Sequence, residues 1–118
     1  MDDGKPIFTQ IAEQLENDII AGTFPEETQV PSINEFAGFY RINPATALKG
    51  VNVLVDAGVL YKKRGIGMFV AEGSRSRLIA ERRAQFSTDY VRPLAVEAQK
   101  LGISVDELTD MIRKETAQ

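Results

Sequence analysis

The stretch RINPATALKG, Arg41 to Gly50, decides how this chain is read. Asparagine is a preferred helix N-cap, because its side-chain oxygen accepts from a backbone N–H that the helix start leaves orphaned. Proline at the first helical position forfeits no hydrogen bond. A helix therefore begins at Asn43-Pro44. Leu48, Val51, Leu54 and Val55 follow at helical spacing as its expected buried stripe, and Gly58 is placed to end it. Its first turn and a half carries Asn43, Ala45, Thr46 and Lys49. Such short or polar side chains can meet base edges and phosphates where a helix enters a major groove. Each also has a plain explanation, Asn43 as a cap and Lys49 as ordinary surface.

The flanks fit that reading. In VPSINEFAGFY (residues 30–40) Ser32 and Glu35 form the S-x-x-E pattern of a capping box, with Phe36, Ala37 and Tyr40 as the buried side of a short helix. Earlier, PIFTQIAEQLENDIIAG (residues 6–22) starts a helix at Pro6, repeats Ile7, Ile11, Leu15 and Ile19 every four residues and stops at Gly22. Downstream, VLYKKRGIGMFV (residues 59–70) changes period. Two short strands, Val59 to Lys62 and Met68 to Val70, flank a tip that sets Lys62, Lys63 and Arg64 beside Gly65 and Gly67. Three helices and a hairpin in this order make a winged helix-turn-helix, expected over residues 1–72, and Phe39 to Asn43 is a turn of suitable length between steeply crossing helices. The fold class is mainly α with a small β-hairpin.

Residues 73–118 form a second region. Leu78, Phe86, Tyr90, Leu94 and Leu101 recur at roughly helical spacing, Pro93 should kink or interrupt the helix, and Gly102 ends it. A second capping pattern, Ser104 with Glu107, opens a last helix whose apolar face is Val105, Leu108, Met111 and Ile112. Two helices enclose little core alone, so they must dock, either on the rest of the chain or on a second copy. The two-fold dimer is the favoured expectation, with Leu78, Phe86, Tyr90, Leu94, Leu101, Leu108 and Ile112 at its interface.

Composition narrows the function. The chain has 118 residues, a net charge of −3, no cysteine and no histidine, which excludes disulfides, thiolate chemistry, the usual zinc ligand sets and an imidazole base. Charge is unevenly placed: residues 1–40 hold one lysine against eight acids, whereas residues 41–70 hold five basic residues against Asp56. A basic block on an acidic chain points to a polyanion more directly than the overall balance does. The acid pairs Glu26-Glu27 and Asp106-Glu107 are explained by solubility and the helix dipole, and R-G-I-G lacks the strand-to-helix context of a phosphate loop. No enzyme and no cofactor are expected. No apolar run reaches the roughly 18 residues of a membrane span and no signal peptide is evident, so a cytoplasmic protein is the default expectation.

The run from Val30 to Val70 resembles the DNA-binding domain of the GntR family of bacterial transcription regulators, on Pro31-Ser32, Thr46, Leu54, Gly58 and the closing G-I-G-M-F-V. The tail ending EAQKLGISVDELTDMIRK is similar to the short two-helix part of its YtrA-type subfamily. The resemblance implies a homodimeric repressor, often of ABC-transporter operons, that binds double-stranded operator DNA. It places DNA contacts on Ser32, Asn43, Pro44, Ala45, Thr46, Lys49 and the wing tip Arg64-Gly65, to which the basic positions Arg41, Lys62 and Lys63 and the wing's Gly67 add. Three residues depart from the family pattern: Asn34 in place of a phosphate-binding arginine, Arg41 in place of a turn glycine and Leu48 in place of a polar reader. A small-molecule effector, should one exist, is expected at the dimer interface or between tail and DNA-binding domain, because the tail is too small to enclose a pocket. The reading from a different class is a winged-helix module that binds other proteins and has no specific DNA site.

Overall fold

The computed structural model describes residues 4–117. Its helices are α1 (Ile7–Ala21), α2 (Ile33–Tyr40), α3 (Pro44–Asp56), α4 (Ser74–Phe86), α5 (Arg92–Lys100) and α6 (Val105–Thr116), with strands β1 (Leu60–Lys63) and β2 (Gly67–Val70) between α3 and α4 and a π-helical segment, Ser87–Val91, between α4 and α5. The chain divides into two compact units between Ala80 and Glu81, inside α4.

In the first unit the helices start and stop for the local reasons the sequence offers. The Ser32 hydroxyl accepts from the Glu35 amide at 3.1 Å while the Glu35 carboxylate accepts from the Ser32 amide at 2.9 Å, a complete capping box. The Ser32 amide most, and the Ser32 hydroxyl beside it, hold the Glu35 carboxyl below its usual pKa. Gly22 ends α1 in the left-handed conformation. Burial follows a tighter pattern than expected. Ile11, Leu15 and Ile19 are buried on α1 with Ala12, whereas Ile7 is exposed. On α3 the buried stripe is Ala47, Gly50, Val51 and Leu54, and Leu48 points out at 39% exposure.

The reason is close approach. A Cβ on Gly50 would lie 2.8 Å from the Phe8 carbonyl oxygen and 3.0 Å from Ile11 Cβ. The helices α1 and α3 cross so tightly that the contact face takes the small residues Ala47 and Gly50 and turns Leu48 away.

The hairpin pairs Leu60 with Val70, Tyr61 with Phe69, Lys62 with Met68 and Lys63 with Gly67, so the strands run one residue later at β1 and begin one residue earlier at β2 than expected. The Val59 amide is used in closing α3, bonding to the Leu54 carbonyl at 2.9 Å, and is lost to the ladder. A third segment escaped the sequence reading. Residues 27–30 line the free edge of β2, through Glu27 N–H to Val70 O at 2.8 Å, Val30 N–H to Met68 O at 2.9 Å and Val70 N–H to Thr28 O at 3.1 Å. Leu60, Met68 and Val70 enter one core with Leu15, Ile19, Phe36, Val51 and Leu54.

Leu78, expected at a subunit interface, belongs to that core as well. It is 2% exposed, and the first turns of α4 are pinned beside it: the Ser74 hydroxyl donates to Val59 O at 2.9 Å and the Arg75 guanidinium to Ile20 O at 2.8 Å.

The second unit is helical. The segment Ser87–Val91 relaxes to i→i+5 bonding, with the Arg92 amide reaching Ser87 O, directly before Pro93. Proline offers no N–H and its ring crowds the carbonyl four residues back, and a π-turn is a recognised way to absorb both. The interruption expected at Pro93 thus takes the form of a wider turn. Ser104 caps α6 by accepting from the Glu107 amide at 3.1 Å. Of this unit's large apolar side chains Phe86, Tyr90, Val91, Leu94, Val96, Leu101, Val105, Met111 and Ile112 are exposed, and Leu108 is half-buried.

Candidate nucleic-acid interface

The start of α3 is built by its own sequence. Arg41 closes α2 in the left-handed conformation (φ 55°, ψ 51°), and its amide and that of Ile42 both turn back to Ala37 O. Asn43 is extended, its Oδ1 accepts from the Ala45 amide at 2.8 Å, and Pro44 follows at the first helical position. Asn43 therefore spends its acceptor oxygen on the cap, and what it offers outward is its NH2 group. Arg41, Asn43, Pro44, Ala45, Leu48 and Lys49 are exposed, while Thr46 is half-buried on the flank of the helix.

Opposite the buried stripe runs a shallow groove lined by Phe8, Ala45, Leu48, Lys49, Asn52, Val53 and Asp56. The Lys49 ammonium lies 4.2 Å from the centre of the Phe8 ring. A cation over an aromatic face is held electrostatically by the ring quadrupole, so the one cation of α3 sits to the side of the groove.

The wing is braced in three places. Ile66 N–H bonds to Lys63 O at 2.9 Å around Arg64 and Gly65, and Gly65 takes φ 78°, a β-turn that needs glycine at this position. Gln29 Nε2 donates to Ile66 O at 2.9 Å from outside the hairpin. Gly67 takes φ 147°, a conformation that L side chains rarely adopt, and a Cβ there would displace the Gln29 amide from the wing tip. Its glycine is thus explained by the wing's own backbone. On the outer face Tyr61 stacks on Phe69 at 5.9 Å between ring centroids and donates to Glu27 Oε2 at 2.8 Å. That bond raises the Tyr61 pKa above its ordinary value.

Lys63 lies 4.3 Å above Phe69, on the face opposite to Lys62, since successive residues of a strand alternate. Arg41, Lys62 and Arg64 are exposed and have no ion-pair partner among the described residues. Ser32 is also exposed, with its hydroxyl committed to the capping box. Among the described residues no group of three carboxylates is arranged to hold a metal, and no helix is long and apolar enough to cross a membrane.

The profile of bacterial regulatory proteins of the gntR family matches residues 8–70, from α1 through the end of the hairpin. The chain belongs to the GntR family. As a GntR protein it is a transcription regulator with a winged-helix DNA-binding domain. It is 25% identical over 112 residues to the HTH-type transcriptional repressor YtrA of Bacillus subtilis, covering 95% of this chain and 85% of that protein. A GntR family transcriptional regulator from Listeria monocytogenes superposes with a TM-score of 0.75 at 25% identity, over 97% of this chain and 98% of the other. The AraR DNA-binding domain, solved in complex with an operator, matches 57% of this chain and 81% of its own with a TM-score of 0.55 and 30% identity.

Within the GntR frame, four residues that sequence reasoning passed over shape the candidate surface: Phe8, which holds Lys49; Gln29, which holds the wing tip; Gly50, which seats α3; and Asn52, in the outer groove. Only Gly50 carried a local signal, as a glycine within a helical pattern. The others act across the fold, with Gln29 reaching 37 residues ahead.

Proposed function

We propose that this GntR protein is a homodimeric repressor of a small operon. Two α3 helices enter successive major grooves of a near-palindromic operator, about 34 Å apart, and the wing tips lie on the flanking backbone and minor groove. The observation that carries this reading is the orientation of α3. Its stripe of Ala47, Gly50, Val51 and Leu54 is buried against the domain, which leaves the capped start and the face of Ala45, Leu48 and Asn52 outward. Exposed Arg41, Lys62 and Arg64 supply cations for phosphate, and the AraR–operator complex gives the precedent for this domain on DNA. The exposed apolar side chains beyond Glu81 support dimerisation, and a small effector at that interface would release the operator by changing the separation of the two α3 helices.

The test is a footprint on the DNA upstream of the gene, followed by salt-titrated binding. A protected, near-palindromic site preferred over random duplex, with affinity falling steeply as salt rises, is expected. Equal, salt-insensitive binding to both duplexes would instead favour a module that binds proteins. Thr46→Ala and Arg64→Ala should each weaken operator binding by about 1 to 3 kcal/mol. In a dimer Arg64→Ala removes two cations, so the slope of log K against log salt should fall by about 2.

A further inference from the structure

We propose that Leu48 is a specificity-determining residue that selects thymine through its 5-methyl group. The inference rests on the reading of α3 as the operator-reading helix and adds what that helix reads.

A leucine on the outer face of an otherwise well-packed helix calls for an account. Leu48 is 39% exposed although α3 has a continuous buried stripe one position away, at Ala47, Val51 and Leu54. Its neighbours on the same face are Ala45, three residues earlier and one helical turn nearer the N-terminus, and Asn52, four residues later. Two of the polar groups near this level are drawn away from it, while Asn52 and the Asn43 NH2 group flank it. Asn43 Oδ1 is held by the Ala45 amide, and the Lys49 ammonium is drawn over Phe8. Between the Asn43 cap and Asn52, α3 offers an apolar pair, Ala45 and Leu48.

The major-groove edge of a base pair presents hydrogen-bonding groups for every base and one apolar group, the C5-methyl of thymine. A leucine that can neither donate nor accept gains by covering that methyl, and it leaves a donor or acceptor dehydrated if set against guanine, adenine or cytosine. Apolar contact with a single methyl is worth about a fourfold change in affinity.

The experiment uses the full-length protein and the footprinted operator. Each thymine of the half-site is replaced in turn by deoxyuridine, which deletes the methyl and keeps every hydrogen-bonding group. One position per half-site should lose about fourfold per protomer in wild-type affinity. Leu48→Ala should bind the thymine operator correspondingly less well and no longer distinguish thymine from uracil there, whereas Leu48→Met should keep the distinction. Placing 5-methylcytosine at the position after a T·A to C·G change should recover part of the wild-type loss and none of the variant's. Wild-type protein indifferent to every uracil, or Leu48→Ala retaining the full thymine preference, would overturn the assignment while leaving operator binding intact. Loss of any preference for the operator over random duplex would instead overturn the operator reading beneath it.

Discussion

At the scale of single residues, two positions of α2 and α3 place opposing demands on backbone and side chain. Arg41 occupies the left-handed region, where a side chain costs roughly 1 to 2 kcal/mol and glycine nothing comparable. Arg41→Gly should therefore raise stability to chemical denaturation by about 1 kcal/mol. If the guanidinium meets phosphate, the same change lowers operator affinity and salt dependence, so a protein that is more stable yet binds DNA less well is the expected pair of results. Gly50 runs the other way. Alanine would gain about 1 kcal/mol of helix propensity, but its Cβ would stand 2.8 Å from the Phe8 carbonyl, a backbone atom that cannot swing aside. Overpacking of that kind costs about 1 to 3 kcal/mol. Gly50→Ala should consequently destabilise, measured as a lower urea midpoint, and a net stabilisation would mean that α1 and α3 are not so close.

At the scale of elements, the wing depends on the segment before α2 as much as on its own turn. Tyr61 donates to Glu27, and the folded state keeps the phenol protonated above its ordinary pKa of about 10. A raised folded pKa contributes stability that is fully present below the unfolded value and is lost as pH rises through the folded one. The melting temperature should fall as pH rises above about 10, and less steeply in Tyr61→Phe, which cannot ionise there. Thermal melts across that range read the difference. The order of helices and hairpin, the capping box at Ser32 and the cap at Asn43 were all legible in the sequence, because each is decided by residues within a few positions of one another. The pairing of residues 27–30 with β2, the support of Ile66 by Gln29 and the seating of Lys49 on Phe8 were not. These contacts join distant parts of the chain, and no local pattern encodes them. Leu48 misled for the same reason: its spacing fits a buried stripe, and only the tight crossing at Gly50 rotates the stripe onto Ala47.

For the whole molecule, apolar side chains separate into two classes that composition alone cannot distinguish. Leu78 is fully packed, so Leu78→Ala should cost about 2 to 5 kcal/mol of stability. Tyr90 and Ile112 are 67% and 50% exposed, so changing both to aspartate should leave the first unit folded and shift the protein to monomer in sedimentation equilibrium, with loss of tight operator binding. A dimer that survives this pair of changes would locate its interface elsewhere. The π-turn before Pro93 bears on how those exposed residues line up. In an unbroken α-helix each step of four residues overshoots a full turn by about 40°, so two steps from Phe86 would carry Leu94 about 80° around the axis. The wider turn at Ser87–Val91 absorbs one residue, worth about 100° of rotation, and brings Phe86, Tyr90 and Leu94 back to nearly one azimuth; the first two rings stand 5.4 Å apart. The segment works as a phase corrector, turning a spiral of side chains into a straight ledge; deleting a single residue from it leaves seven α-helical steps from Phe86 to Leu94, about 20° short of two full turns, and so removes the wide turn while keeping the ledge.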